Sequence, residues 1–306
     1  ISQKMNNNTK SGQQIQQNDE ILKKEIENLK FVTDVPKLVK QFQVLENFSN
    51  HPYRHIIFNP NIDQNIFLQF LMLTYRGLVY STKCLKGPSD KFIQQKQVEL
   101  TPAKNPTNNI LFLDLDETLI HSCRINENYN VQIKAFEDNN SQQEYLIQFR
   151  IRPYCMEFLQ KISKYWDIYL FTASSTTYAN AIVNYLDPHR QYINQVLTRK
   201  NCMETKNGFF VKDLRIVKGI NIKKAIIVDN LAHSFGLQID NGIPILEWHS
   251  DKNDVELKHL IGYLIEASKV DDVRVFNQQN YKLTELIKFK SDDLKLKDQK
   301  SQIINV

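Results

Sequence analysis

Short apolar runs alternate with stretches of helical period through the C-terminal two thirds of the chain. ILFL (110–113), IYLFT (168–172), VLT (196–198), AIIV (225–228) and IPIL (243–246) read as strands, with a further strand pattern near GFFVK (208–212). Between and after them, helical spacing runs from Tyr154 to about Tyr165, from Thr176 to about Tyr185 and from Val255 to about Ala267. Unbroken apolar runs predict strands buried on both faces, and their alternation with helices predicts an α/β class. The expected fold is a Rossmann-like parallel sheet with helices on both faces.

The N-terminal third reads differently. Residues 1–18 are rich in Asn, Gln and Ser, a low-complexity arm expected to be disordered by itself. From Ile21 the pattern turns helical with Leu22, Ile26 and Leu29, and Asp34-Val35-Pro36 marks another helix start before Leu38 and Val39. A longer apolar helix is expected around 62–80, ended by Gly87-Pro88-Ser89, and Thr101-Pro102 to Pro106-Thr107 reads as a linker. The implied domains are the arm 1–18, a helical extension and linker 19–105, an α/β domain 106–277 and a tail 278–306. The most membrane-like stretch, 66–80, is interrupted by Gln69 and Arg76 and falls short of a roughly 20-residue span, so no transmembrane segment is expected. No signal-peptide pattern is visible.

Charge changes this picture little. Residues 1–105 carry 14 Lys and Arg against 9 Asp and Glu, and residues 106–306 balance at 25 against 25. The lysines are scattered among acids without the dense basic, aromatic-interleaved patches of a nucleic-acid reader, so no strong nucleic-acid signal is present. Cys84, Cys123, Cys155 and Cys202 form no CxxC pair, which suggests neither a zinc site nor a disulfide framework. A reducing compartment, nuclear or cytoplasmic with a mitochondrial one left open, is the expectation.

The candidate chemistry lies at the carboxyl ends of the predicted strands, where open α/β sheets bind ligands. Asp114 and Asp116 follow ILFL, Thr172 ends IYLFT, and Asp229 with Asn230 follow AIIV. Three carboxylates and an amide that converge need a cation, and an all-oxygen set suits Mg²⁺ rather than zinc. Beside such a metal Asp114 can attack phosphorus, while Asp116 can move a proton to the leaving oxygen and later from water. Thr172 and Lys212 supply a hydroxyl and a fixed positive charge for phosphoryl oxygens, and Arg152 is either a further donor or a packing residue. No GxxxxGK motif occurs, which argues against a P-loop NTPase. Singly, each residue has a plainer role: Asp-x-Asp as a cap, Thr172 as a strand terminus, Lys212 as a surface partner of Asp213. Their order along the chain favours a phosphoryl-transfer site. His121 reads as a packing or capping residue, and His51 with His55 lack a third ligand. Asp251, Asp254 and Glu256 read as helix-start acids.

With those residues in place, the sequence resembles the haloacid dehalogenase superfamily, and more closely its RNA polymerase II C-terminal-domain phosphatases and NLI-interacting-factor-like small phosphatases. The resemblance covers roughly residues 108–277 through FLDLDETLIHS, RPYCMEFL, LFTAS, GFFVKDL, IIVDN and DVELKHL, in that order. It implies Asp114 as nucleophile, Asp116 as acid/base, and Mg²⁺ held by Asp114, the Asp116 backbone carbonyl and Asn230. Thr172 and Lys212 would then bind phosphate, and Asp229 would support the metal site. It also implies a small β insert at 124–150, with strand-like patches at Val131–Phe136 and Tyr145–Phe149. Arg124, Ser175 and Leu231-Ala232 depart from the family pattern around the pocket and the metal loop. The expected function is a Mg²⁺-dependent serine/threonine phosphatase acting on a phosphoprotein. The alternative is a structural or adaptor subunit, joined through the N-terminal extension to a large assembly.

Overall fold

The computed structural model describes residues 64–104, 106–124, 126–136 and 144–284. The chain divides into two units, 1–46 and 47–306, and every described residue belongs to the second. The low-complexity arm, the helix starts at Ile21 and Asp34, His51 with His55, and the tail from 285 onward lie outside the described residues.

Helix α1 (Gln64–Lys83) runs three residues past the predicted end at 80, and the short α2 (Asp90–Lys96) follows the Gly-Pro-Ser break. Ser89 turns that break into a helix start, its Oγ accepting from Phe92 N at 3.3 Å. Strand β1 (Ile110–Leu113) matches the predicted run, and β2 (Ile120–Ser122) follows a tight loop. Strands β3 (Val131–Phe136) and β4 (Glu144–Ile151) lie where the insert is expected; β4 pairs antiparallel with both β2 and β3 to form a separate three-stranded sheet. Its strands alternate buried and open positions, as a sheet with one covered face requires.

The α/β alternation continues with α3 (Cys155–Ile162), β5 (Asp167–Phe171), α4 (Thr176–Leu186) and β6 (Ile193–Leu197). The GFFVK segment supplies only β8 (Phe210–Val211), which pairs with β7 (Met203–Glu204) as a small hairpin rather than joining the main sheet. Strands β9 (Ala225–Asp229) and β10 (Gly242–Pro244) complete the sheet before α5 (Glu256–Ala267) and α6 (Val273–Tyr281). Helix α6 runs across 277, where the sequence reading ends the domain, and Tyr281 at its end is buried.

The main sheet has the order β10-β9-β1-β5-β6 with every pairing parallel. Successive strands lead from β1 outward to β6 and then return to β9 on the other side, so the strand order reverses beside β1. Ligands bind at such a switch point in open α/β sheets. Leu111, Phe112 and Leu113 are all fully buried although neighbours on a strand point to opposite faces, so both faces are covered.

Helix α1 reaches the site indirectly. It packs on the 3-10 turn Ala232–Phe235 that follows Asp229-Asn230. A Cβ at Gly77 would lie 2.8 Å from His233 N and 3.1 Å from Ala232 Cβ, and one at Gly236 would lie 2.0 Å from Ser81 Oγ. Small residues on both sides bring the helical extension against the loop behind the acidic pair. The Thr101–Thr107 linker is held to the α/β domain, with Thr101 N donating to Gln195 Oε1 at 2.7 Å and Thr107 N to Asp167 Oδ1 at 2.8 Å.

Candidate active site

Strand register places the acids side by side. Leu113 pairs with Val228 on one side and Leu170 on the other, so Asp114 and Asp229 leave neighbouring strands at the same level, with Thr172 near them. Asp114 N still donates to Val228 O at 2.9 Å, which fixes the backbone at the strand end. Lys212 arrives from beyond β8, held by its own N donating to Ser234 O at 2.7 Å.

The Lys212 ammonium donates to Asp114 Oδ1 at 2.5 Å and to Asp229 Oδ2 at 2.6 Å. All three side chains are buried. Burial works against the charged Lys212, but the two carboxylates more than offset it and raise its affinity for the proton. Burial pushes Asp114 up to about 7, with Lys212 pulling it down and Asp229 and Asp116 pushing it further up. Asp114 Oδ2 accepts from Thr118 Oγ1 at 3.2 Å, and Asp229 Oδ1 from Leu231 N at 2.8 Å. Leu231 thus serves the site through its backbone, and Ala232 is the small residue that admits α1.

Asp116 is placed by other means. The chain turns after it through Glu117 at φ 60°, a left-handed conformation that a side chain makes costly, and Glu117 N donates to Ile120 O at 2.7 Å. Asp116 Oδ1 accepts from the Tyr178 hydroxyl at 2.6 Å and Oδ2 from Ser174 Oγ at 2.7 Å. Burial and the Asp116 charge raise Tyr178 far above the usual phenol range, so it stays a neutral donor. Ser175 caps α4, its Oγ accepting from Tyr178 N at 3.4 Å, which sets Tyr178 in the first turn and aims it back at Asp116.

Thr172 is buried, and its Oγ1 accepts from Ser174 N at 3.1 Å. Asn230 is buried beside Asp229, and no hydrogen bond to its carboxamide is made among the described residues. Arg152 does not join the group. It forms a buried bidentate pair with Asp254, with both N–O distances 2.8 Å, and donates to Thr118 O at 3.1 Å. Arg152 is therefore a packing residue that braces the loop carrying Thr118, and Asp254 is its counter-ion as well as an acceptor for Glu256 N. A cavity of about 510 Å³ opens beside the site, lined by Phe92, Lys96, Ser175, Arg199, Lys200 and Phe210 among others. Cys202 also lines it, and its Sγ lies 3.7 Å from Thr172 O.

Sequence reasoning missed both Ser174 and Tyr178 as partners of Asp116. Their signal was the Ser-rich cap TASSTTY, which places a Tyr three residues after the Ser175 cap. The sequence reading made His121 a packing or capping residue; its ring nitrogens face Glu117 and Glu127 at 3.1 and 3.2 Å. No helix among the described residues is long and apolar enough to cross a membrane.

Two curated relatives bear on this arrangement. The chain is 39% identical over 192 residues to "CTD small phosphatase-like protein 2" of Dictyostelium discoideum, covering 62% of this chain and 33% of that protein. It is 39% identical over 184 residues to "CTD small phosphatase-like protein 3" of Caenorhabditis elegans, covering 59% of this chain and 62% of that one. The chain thus spans less than two thirds of the length of either relative. The solved structure of Fcp1, described as an essential RNA polymerase II CTD phosphatase, matches at 17% identity and a TM-score of 0.39 over 71% of this chain and 56% of that one. Residues 109–274 match the family described as NLI interacting factor-like phosphatase, a span that holds every candidate site residue. The chain belongs to the NLI interacting factor-like phosphatase family.

Proposed function

We propose that the chain hydrolyses phosphoserine or phosphothreonine in protein substrates, with Mg²⁺, through an aspartyl-phosphate on Asp114. The observation that carries this reading is the single Lys212 ammonium shared by two buried carboxylates on neighbouring strand ends. Two carboxylates share the one ammonium and the nearby Asp116 charge acts on Asp114, so the deficit of positive charge fits a divalent cation. The donors are all oxygens, as Mg²⁺ prefers: the Asp114 carboxylate, the Asp116 backbone carbonyl and the Asn230 carboxamide, which has no hydrogen-bond partner among the described residues. Asp229 supports that set by holding Lys212 and the Leu231 backbone. When bound, Mg²⁺ neutralises phosphoryl charge and keeps Asp114 ionised.

The chain's own groups divide the remaining work. Two of the three Lys212 protons are committed to Asp114 and Asp229, which leaves the third for a phosphoryl oxygen. Thr172 Oγ1 accepts from Ser174 N, so its own O–H is free to donate to the phosphate. A carboxylate oxygen of Asp114 forms a bond to phosphorus as the phosphorus–oxygen bond of the substrate ester breaks. The departing seryl or threonyl oxygen takes a proton from Asp116. Asp116, again a carboxylate, then removes a proton from water as that water bonds to phosphorus, and the Asp114–phosphorus bond breaks to free inorganic phosphate. Tyr178 and Ser174 hold Asp116 toward the site in both steps, their hydroxyls turning as its charge changes. Lys96, Arg199 and Lys200 around the neighbouring cavity suit an acidic peptide flanking the phosphorylated residue.

The test is hydrolysis of an aryl phosphate and a phosphopeptide by the purified chain with Mg²⁺. Activity that requires Mg²⁺ and disappears in Asp114→Asn is expected. A metal-independent rate unchanged by Asp114→Asn would refute the proposal.

A further inference from the structure

We propose that Glu117, His121 and His249 form a second metal site, separate from the Asp114 centre, that takes a first-row divalent transition ion of the zinc class. Three ligand atoms from these residues lie within 4.8 Å of one another. His121 Nδ1 is 3.1 Å from both Glu117 carboxylate oxygens and 3.3 Å from His249 Nδ1, and His249 Nδ1 is 4.0 Å from Glu117 Oε2. With metal–ligand bonds of about 2.0–2.1 Å, a tetrahedral site has ligand-to-ligand edges of roughly 3.3–3.4 Å. The cluster is already close to that size.

An imidazole Nδ1 has one in-plane position, which holds either a proton or a lone pair. With a proton on His121 Nδ1, that atom serves the Glu117 carboxylate beside a lone pair on His249 Nδ1. With a cation in place, both nitrogens and the carboxylate turn their lone pairs to it instead.

The far side of the His121 ring suits the same assignment. His121 Nε2 lies 3.2 Å from Glu127 Oε2, and His249 Nε2 lies 3.8 Å from Glu247 Oε1, beyond direct hydrogen-bond reach. With a cation on the Glu117 side, Glu127 can take the Nε2 proton of His121 and leave the lone pair on Nδ1, the arrangement in which a histidine ligand donates its other N–H to a carboxylate. The two rings stand nearly perpendicular, at 86°, with centroids 5.0 Å apart.

Backbone contacts hold the three segments in place. Trp248 N donates to Glu117 O at 2.9 Å, and Arg150 Nη1 to His249 O at 3.2 Å. A second possible group, His121 with Cys123 and Glu127, shares His121, but Cys123 Sγ donates to the His121 and Asn128 carbonyls and burial keeps the thiol protonated. The Glu117 group is the better ligand set. Two nitrogens and one carboxylate, with His249 half exposed, leave a fourth position open to water and favour zinc-like ions over Mg²⁺.

The test is calorimetric titration of the full chain with Zn²⁺ in saturating Mg²⁺, alongside the visible spectrum of the Co²⁺ form. One equivalent of Zn²⁺ is expected in the native chain and equally in Asp114→Asn, because the site uses no Asp114 oxygen. His249→Ala, at a half-exposed position that tolerates truncation, should weaken Zn²⁺ at least tenfold and reduce the Co²⁺ band. Glu127→Gln should weaken it by about tenfold through the His121 ring alone. Absence of saturable Zn²⁺ binding, its loss in Asp114→Asn, or its persistence unchanged in His249→Ala would each overturn the proposal.

Discussion

Replacing Lys212 with Met removes the one cation that Asp114 and Asp229 share and leaves two carboxylates buried on neighbouring strand ends. Lys212 and Asp229 are each 1% exposed and Asp114 is 7% exposed, so water cannot take over the role of the ammonium. Breaking a buried pair by deleting one partner costs about 3–5 kcal/mol, and the loss of two contacts places this variant at the upper end. At roughly 2–4 °C per kcal/mol for a unit of this size, Tm should fall by about 10–20 °C in chelator-treated protein. Phosphatase activity should fall with it, because the donor for the phosphoryl oxygen is gone. The double substitution Lys212→Met with Asp229→Asn removes one of the stranded charges and should recover a large part of the stability without the activity. Thermal unfolding of the three proteins, with and without Mg²⁺, reads the effect. A single variant as stable as the native chain would refute the shared-ammonium account, as would a double variant less stable than the single.

Other expectations follow from separate parts of the molecule. Tyr178→Phe removes a 2.6 Å hydrogen bond to Asp116 worth about 1.5–3 kcal/mol, so kcat should drop roughly 10- to 100-fold with KM little changed in steady-state assays. Arg152→Met strands Asp254 in the interior and should cost about 3–5 kcal/mol in denaturant unfolding, with recovery in Arg152→Met combined with Asp254→Leu. Without metal, Asp114 binds its proton in the folded state up to about 7 and in the unfolded chain only near 3.8. The folded state therefore holds more protons across that window, and metal-free stability should fall as pH rises from about 4 to about 7, with Mg²⁺ restoring it at pH 7. Gly236→Ala drives a methyl into Ser81 of α1 and should cost about 1–3 kcal/mol by thermal melt.

The strands that build the site were legible because burial on both faces leaves an uninterrupted apolar run. ILFL and AIIV announced β1 and β9, and the acids following each fell at adjacent strand ends. Helices α2 and α6 were not legible. The first is short and begins inside a Gly-Pro-Ser break, and the second is rich in Asn and Gln, of which the fold buries Asn277 and Asn280 through partners such as the Asn277–Tyr263 hydrogen bond. VLT and GFFVK looked alike in sequence, yet the first holds the end of β6 in the main sheet and the second lies in a hairpin, because strand pairing depends on partners far along the chain. Arg152 could be read as phosphate donor or packing residue until Asp254, 102 residues away, appeared as its counter-ion. The Glu117, His121 and His249 group had no local signature, since the third member comes from a loop 128 residues beyond the second.

The central claim is that Asp114 carries the phosphoryl group, and acid quench of the chain during turnover of a ³²P-labelled phosphopeptide tests it most directly. Label should be retained on the peptide containing residues 110–122, be released by hydroxylamine as an acyl phosphate is, and be absent from Asp114→Asn. Label that persists on Asp114→Asn, or turnover without any acid-stable label in the native chain and in a slowed Asp116→Asn variant, would contradict the account.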